Sequence, residues 1–446
     1  MRLFVPADTA ESARAAVQCG ADAVIVRLNA PNVRHGITVA QLSALAEYCR
    51  NRKVDLILRQ YTPVLDTTLT DELKICAAAA KAGVNAVLTS DLGFYRAARQ
   101  MLPDFPFYAD VGFCVHSTGG VLAAQKLGLE LAIITEELFF SELNAISLNS
   151  SIQFVVLSRN YNGNNINELK SIKKLNLLID CDRPDDTEYV AALTELHSNA
   201  LNDGRAIADA ELETLAKGPL PIAAIRAGLI SIERREVFPI KRPRYKGGEF
   251  IPPRIMPWEP HGLPKVNVKV KSVTQLSREI EKLNPNVVYV PVDELLLDPA
   301  HLTYFWDNEE IELCAVMPDI IRDSQLNDET EKLEQIRRLQ VRSVLVSNIG
   351  HISLAERFGF KVRGSAKLAA ANSQAIQQLS ELKFTSCEIW KTLTSSEITP
   401  LFKFIDCEVN YLNHRRADNS GIWSVLAEFT NEGARECAGI LQRISS

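Results

Sequence analysis

Long hydrophobic runs are missing from this sequence of 446 residues: nowhere do the ~18 consecutive apolar residues of a membrane-spanning helix occur. No membrane association is therefore expected. An excess of positive charge is also missing. Lys and Arg number 49 against 55 Asp and Glu, a net charge of −6, which argues against a globally basic nucleic-acid binder. The start, Met1-Arg2-Leu3-Phe4-Val5-Pro6-Ala7-Asp8, turns acidic too soon for a signal peptide, and the expected compartment is the cytoplasm. GxxxxGK[ST], HExxH and GxSxG are all absent, so the phosphate-cradling loop, the zinc-peptidase helix and the serine-hydrolase elbow have no candidates. The seven histidines show no metal-ligand spacing. No two of the nine cysteines (Cys19, Cys49, Cys76, Cys114, Cys181, Cys314, Cys387, Cys407, Cys437) stand in a CxxC. Most sit among apolar residues, as small buried hydrophobes of a reducing compartment do.

What is present is ordinary globular composition, 46% apolar and 23% charged, at a length that suits two or three domains. The first third alternates short apolar runs with amphipathic stretches. Leu3-Phe4-Val5 reads as a strand, with Asp8 and Glu11 placed as a capping box for the helix that follows. Further strands are expected at Ala23-Val26, Leu56-Leu58, Ala86-Leu88, Leu131-Ile134, Phe154-Leu157 and Leu177-Ile179, with a second cap at Thr38 and Gln41. Gly20, Gly83 and Gly128 stand at the same point of successive helix-to-strand turns, where a left-handed residue ends a helix. Alternation of this kind implies parallel strands joined by right-handed crossovers. About eight strands predict an α/β fold with a TIM-barrel-like (β/α)8 first domain. An open doubly wound sheet would want a glycine-rich turn after the first strand, where Pro6-Ala7-Asp8-Thr9 stands instead.

The pattern then restarts. Residues 183–230 read as helical and acidic. Residues 234–264 mix Arg234, Arg235, Lys241, Arg242, Arg244 and Lys246 with seven prolines, an extended connector. Val266-Val270 and Val287-Val290 then mirror the beginning of the chain. Ser90-Asp91-Leu92-Gly93 corresponds to Ser347-Asn348-Ile349-Gly350, and Ser141-Glu142-Leu143 to Ser396-Glu397-Ile398, at an offset of about 255 to 265. The expected organisation is a barrel with a helical extension over 1–233, a linker over 234–264, and a second, shorter repeat of the barrel-like unit over 265–446.

In a parallel barrel the working groups follow the C-terminal ends of the strands. In the first unit those positions hold Arg27, Arg59, Ser90, Asp91, Asp110, Glu136, Glu137, Arg159 and Asp180. Arginine forks there would bind a small acidic ligand, and a carboxylate would move a proton. The plain alternative is that these residues cap helices and satisfy loop backbone. Cys114 and His116 form a C-x-H pair, more simply read as structural than as a nucleophile and base. Thr118-Gly119-Gly120 reads as an ordinary helix start.

The same residues carry a family resemblance. Leu3-Phe4-Val5-Pro6-Ala7 resembles the opening "LLAPAG" of the collagenase-like peptidase family U32, and Ala15 to Val24 resembles its "AAVxxGADAVY". Arg34 resembles the arginine of its "AR…F" segment, Ser90-Asp91-Leu92-Gly93 its "SDxG", and Ile133 to Leu143 its "VVLxRELSLxEL". The ordered segments span residues 1 to ~145, and the second unit is similar to the extra domain of longer members. The resemblance implies a barrel fold, an iron–sulfur cluster held by a cysteine-rich segment, and either a peptidase label or oxygen-independent hydroxylation of RNA bases or a quinone precursor, with prephenate implicated. This sequence departs at that segment: Gln153 to Asp180 contains no cysteine, and Cys181 alone lies nearby. A four-iron cluster normally takes four thiolates.

The expectation is a divergent member without the cluster, with no other cofactor or metal, that binds a small acidic molecule or serves as a heteromeric partner of a cluster-bearing relative. Arg27, Arg34, Arg59, Ser90, Asp110 and Arg159 are the ligand-binding candidates. The alternative is a family enzyme using Asp91 and Glu137 as acid and base. RNA binding through the basic connector is a third, disfavoured reading.

Overall fold

The computed structural model describes residues 1–178 except 19, 29–35, 61–62, 136, 158–167 and 170, and residues 265–445 except 402–403 and 412–422. The acidic stretch 183–230, the connector 234–264, Arg34, Glu136, Arg159, Asp180, Cys19 and Cys181 lie outside the described residues. The chain divides into two compact units. The first takes 1–62, 71–90 and 97–250; the second takes 63–70, 91–96 and 251–446.

The first unit carries a closed barrel of eight parallel strands: β1 (Leu3–Ala7), β2 (Ala23–Val26), β3 (Asp55–Gln60), β4 (Ala86–Thr89), β5 (Phe107–Ala109), β6 (Leu131–Ile134), β7 (Gln153–Leu157) and β8 (Leu175–Leu178). Phe4 is the register partner of Ala23 on one side and Leu178 on the other, which closes the ring. The strands read as unbroken apolar runs because both their faces are buried, one by the helices and one by the barrel interior. Phe4, Ile25, Ile57, Leu88, Tyr108, Ile133, Val155 and Leu178 belong to that interior.

Local signals account for much of the surrounding shell. Thr38 and Gln41 form the expected capping box: Gln41 N–H donates to Thr38 Oγ1 at 3.2 Å, and Thr38 N–H to Gln41 Oε1 at 2.9 Å. The first helix, Ala10–Gln18, corrects the expectation by one residue. Thr9 and Ser12 exchange the capping bonds, at 3.0 and 3.1 Å, because Asp8 is taken by Arg27 at 2.8 Å. Gly20, Gly83 and Gly128 have φ of 93°, 94° and 89°, the left-handed turn their positions predict.

The second unit carries its own closed barrel of eight parallel strands: β9 (Lys265–Lys269), β10 (Val287–Pro291), β11 (Glu312–Val316), β12 (Ser343–Val346), β13 (Lys361–Gly364), β14 (Phe384–Glu388), β15 (Asp406–Asn410) and β16 (Ser424–Glu428). It is shorter than the first but complete. The internal repeat is geometric as well as sequential. Asp110 and Ser365 each cap a short 3-10 turn that ends in a left-handed residue, Cys114 and Ala369; Ser117 and Asn372 each then cap a helix. Every pair is offset by 255.

The two interiors differ. Where the packed centre of the first barrel is apolar, the second threads a polar chain through its centre. Arg363 forks onto Glu312 at 3.2 and 2.9 Å and donates to Ser386 Oγ at 2.8 Å. Ser386 and Tyr289 both donate to Glu408, at 2.7 and 2.5 Å.

Candidate functional site

The C-terminal ends of strands β9 to β16 open onto a cavity of about 620 Å³, a size that suits a small molecule. Its apolar wall is made by Val316, Met317, Pro318, Leu345 and the half-buried ring of Trp390. Trp390 is held by its backbone N–H, which donates to the Ala370 carbonyl at 3.0 Å.

Four charged side chains form the polar part. Lys269, Glu388 and Glu428 are the last residues of β9, β14 and β16, and Lys391 follows β14 by one short step. Lys269 Nζ lies 3.0 Å from Glu428 Oε1, and Lys391 Nζ lies 2.8 Å from Glu428 Oε2. Asn410 adds a third donor to Glu428 at 3.0 Å. The same lysines stand farther from Glu388, at 3.8 and 3.6 Å. Glu388 Oε2 accepts from the Ala366 N–H at 3.3 Å, while Oε1 accepts no hydrogen bond among the described residues. The Glu388 side chain is 2% exposed.

The two carboxyls are pushed apart by their surroundings. Burial, and then the Glu428 charge, push Glu388 upward against the pull of the lysines. Burial acts on Glu428 too, but the charges and hydrogen bonds of Lys269 and Lys391 outweigh it and hold that carboxyl at about 2. One neutralisable carboxyl beside one firmly ionised carboxylate is the arrangement in which proton-transfer groups are found. Lys367 pairs with Asp319, and Asp293 with Lys332 at 3.0 Å, around the rim.

The residues expected from the sequence lie elsewhere. Arg59 and Asp110 come together as a bidentate pair, Nε–Oδ2 2.5 Å and Nη2–Oδ1 2.9 Å, with Asp110 fully buried. Arg27 is paired with Asp8, and Ser90 Oγ accepts from Gly112 N–H at 3.3 Å. Asp91 belongs to the second compact unit. It is buried, and it accepts from the Val64 and Phe94 N–H groups at 2.7 Å each and from Asn372 Nδ2 at 3.2 Å. Burial pushes its carboxyl upward. Glu137 is exposed. Cys114 Sγ faces the Gly112 carbonyl at 3.8 Å, and Ser117 caps the helix at Thr118, as a plain helix start does.

The described thiols do not fit the iron–sulfur cluster that the family resemblance implies. Cys49, Cys76, Cys314, Cys387, Cys407 and Cys437 are buried. Burial pushes the Cys49 and Cys437 thiols up to about 11 and those of Cys76 and Cys314 up to about 12, the opposite of what thiolate ligands need. Cys387 and Cys407 are register partners, but they donate to the separate carbonyls of Glu388 and Leu401. Among the described residues no three His, Cys, Asp or Glu side chains are placed to hold a metal ion.

Sequence reasoning thus missed Lys269, Glu388, Lys391 and Glu428. The signal was available. The strand-end rule that picked the first unit's residues finds three of the four when applied to the second unit, where no family motif drew attention.

Comparison with known proteins gives three results. No curated protein matches the chain. Solved structures similar to parts of it include the U32 peptidase Mk0906 (11% identity, 35% of this chain and 68% of that one, TM-score 0.29), phosphonopyruvate hydrolase in complex with oxalate and Mg++ (14%, 52% and 91%, 0.33) and KGPDC from Streptococcus mutans (14%, 52% and 98%, 0.33). At these scores the likeness says nothing about activity; the fold rests on the two closed strand ladders. The description "Peptidase family U32" matches residues 8–158. That segment, about a third of the chain, runs from just after β1 to just beyond β7 and contains the family-like stretches from Ala15 to Leu143, so the first barrel is similar to peptidase family U32.

Proposed function

We propose that this protein binds a small acidic molecule, and that the binding site is the mouth of the second barrel. The observation that carries the reading is the cavity of about 620 Å³ with the Lys269 and Lys391 ammonium groups at the strand ends. Cations at the C-terminal rim of a parallel barrel, beside an apolar wall, suit an anion with a hydrophobic body. The expected result of native mass spectrometry on gently purified protein is a retained low-mass acid, released on denaturation. The Lys269→Met/Lys391→Met double variant, less stable but shown to be folded by circular dichroism at the working temperature, is expected to retain none. Equal retention by that variant would refute the site.

A second reading, proton-transfer catalysis in the same mouth, is favoured by the opposite displacement of the Glu388 and Glu428 carboxyls. It predicts that exchange of an acidic C–H of the retained molecule with solvent deuterium is lost in Glu388→Gln.

A further inference from the structure

We propose that the occupant of the second mouth is a small mono-anion, a carboxylate with one apolar end, and that Glu388 meets it as the neutral acid, donating an O–H from Oε1 to the bound anion. The inference rests on the reading of this mouth as an acidic-ligand site, and names the charge and the donor that the site requires.

Charge balance is the first support. With Lys269, Lys391, Glu388 and Glu428 all ionised, the cluster sums to zero, and an entering anion meets no net attraction. The other charged groups around Glu388 do not make up the difference. Lys367 is matched by Asp319, and Lys332 is shared by Asp293, Asp328 and Glu329, so neither lysine has charge to spare for the cavity. Arg363 is committed to Glu312 and Ser386. Glu408, the register partner of Glu388 on β15, is already engaged, accepting from Tyr289 and Ser386. A single proton on one carboxylate leaves the cluster at +1, enough for one anion and not two.

Geometry decides which carboxylate takes the proton. Glu428 accepts three bonds of 3.0 Å or less, from Lys269, Lys391 and Asn410. Protonating it would discard two charge-assisted bonds. Glu388 accepts one hydrogen bond, from the Ala366 N–H to Oε2; the nearest cation to its buried Oε1 is Lys391 Nζ at 3.6 Å, beyond hydrogen-bond reach, and no other donor reaches that oxygen among the described residues. A buried carboxylate oxygen without a donor is costly, whereas a protonated carboxyl turns the same position into a donor. The upward push on Glu388 from burial and from Glu428 acts in the same direction. Met317, Leu345 and Trp390 give the cavity an apolar wall, which suits a ligand with an apolar body.

The test uses the full-length protein and benzoate as the probe, with benzylammonium and phthalate as the cation and dianion of similar shape. Ligand-observed NMR titration would run from about pH 5 to about pH 9, where benzoate stays ionised, with phthalate compared at about pH 7 and above, where both its carboxyls are ionised. Benzoate is expected to bind, and the other two to bind at least about tenfold more weakly. Above the pH at which Glu388 ionises, benzoate affinity is expected to fall about tenfold per pH unit. Glu388→Gln, which keeps a neutral donor, should bind without that fall and melt no lower than the parent. Infrared difference spectra of the benzoate complex at neutral pH should show a protonated-carboxyl stretch that Glu388→Gln lacks. Benzoate binding without that stretch, or with the same pH dependence in Glu388→Gln, overturns this proposal and leaves the site standing. Phthalate binding as tightly as benzoate also overturns it. No benzoate binding by any variant at any pH overturns the proposal and the reading of the mouth together.

Discussion

Lys269 and Glu428 are partners twice over: they are paired in register at the ends of β9 and β16, where the second barrel closes, and their side chains form an ion pair at 3.0 Å. The closure of the backbone and the charge of the cavity therefore depend on the same two residues. Glu428 is held at about 2 against an ordinary 4.5, a gap of about 3 kcal/mol. Because its folded value is depressed, that stabilisation is present above the ordinary carboxylate range and is lost as pH falls toward about 2. Lys269→Met is expected to cost about 1–3 kcal/mol in urea unfolding at neutral pH, and progressively less as Glu428 is protonated. An equal cost at neutral and acid pH would show that packing of the lysine stem, and not its charge, is what matters.

Asp91 reads from the sequence as an acid or base, yet its oxygens hold two backbone N–H groups and the Asn372 amide. Asp91→Asn sets an amide N–H₂ against a donor in a buried place. The expected loss is about 2 kcal/mol of stability, with a coupling of about 1 kcal/mol to Asn372→Ala in a double-mutant cycle. Carboxylate binding in the second mouth should not change. An Asp91→Asn protein as stable as the parent but defective in binding would restore a functional role to this residue.

Arg59 and Asp110 make a fork in the first barrel with the carboxylate fully buried. Removing one partner strands the other. Arg59→Met is expected to lower stability by about 3–5 kcal/mol, while Arg59→Met/Asp110→Leu recovers much of the loss. Chemical denaturation followed by circular dichroism separates the outcomes. If the double variant is the less stable one, packing against the neighbouring strands and not charge pairing explains the site.

Tyr289 donates to Glu408 inside the second barrel, and burial followed by the Glu408 charge pushes its phenol well above the usual range. Tyr108, in the first barrel's interior, is pushed up by burial as well. Among the described residues these two fully buried tyrosines should thus resist ionisation until the protein unfolds. In an alkaline absorbance titration, Tyr289→Phe is expected to reduce that late step by about half, and to cost about 1–3 kcal/mol because Glu408 loses a donor. An unchanged late step would mean that the phenol ionises in the folded state.

The first barrel was more legible than the second, and particular residues show why. Gly20, Gly83 and Gly128 mark their turns because glycine takes positive φ without strain. In the second barrel the corresponding left-handed positions are held by Asn284, Gln340 and Lys383, with φ of 52°, 65° and 64°. Nothing in a Gln or Lys announces such a turn. The strands hid themselves too: Phe384 to Glu388 and Asp406 to Asn410 carry inward Ser386, Glu388 and Glu408, so they lack the apolar run that betrays a strand buried on both faces.

The sequence by itself determined the strand–helix alternation, the duplication at an offset of about 255 to 265, the Thr38 cap and the family resemblance of the first barrel, because each is a short-range pattern of residue types along the chain. Which charges meet was decided only in the tertiary structure. Asp8 reached Arg27 and not its own helix, Arg59 reached Asp110, and Asp91 reached Asn372, through bonds that no local spacing encodes. The mouth of the second barrel follows the same logic. Lys269 and Glu428 are 159 residues apart in sequence, and only the closure of β16 onto β9 places one ammonium between two carboxylates, with no hydrogen-bond donor on Glu388 Oε1 among the described residues.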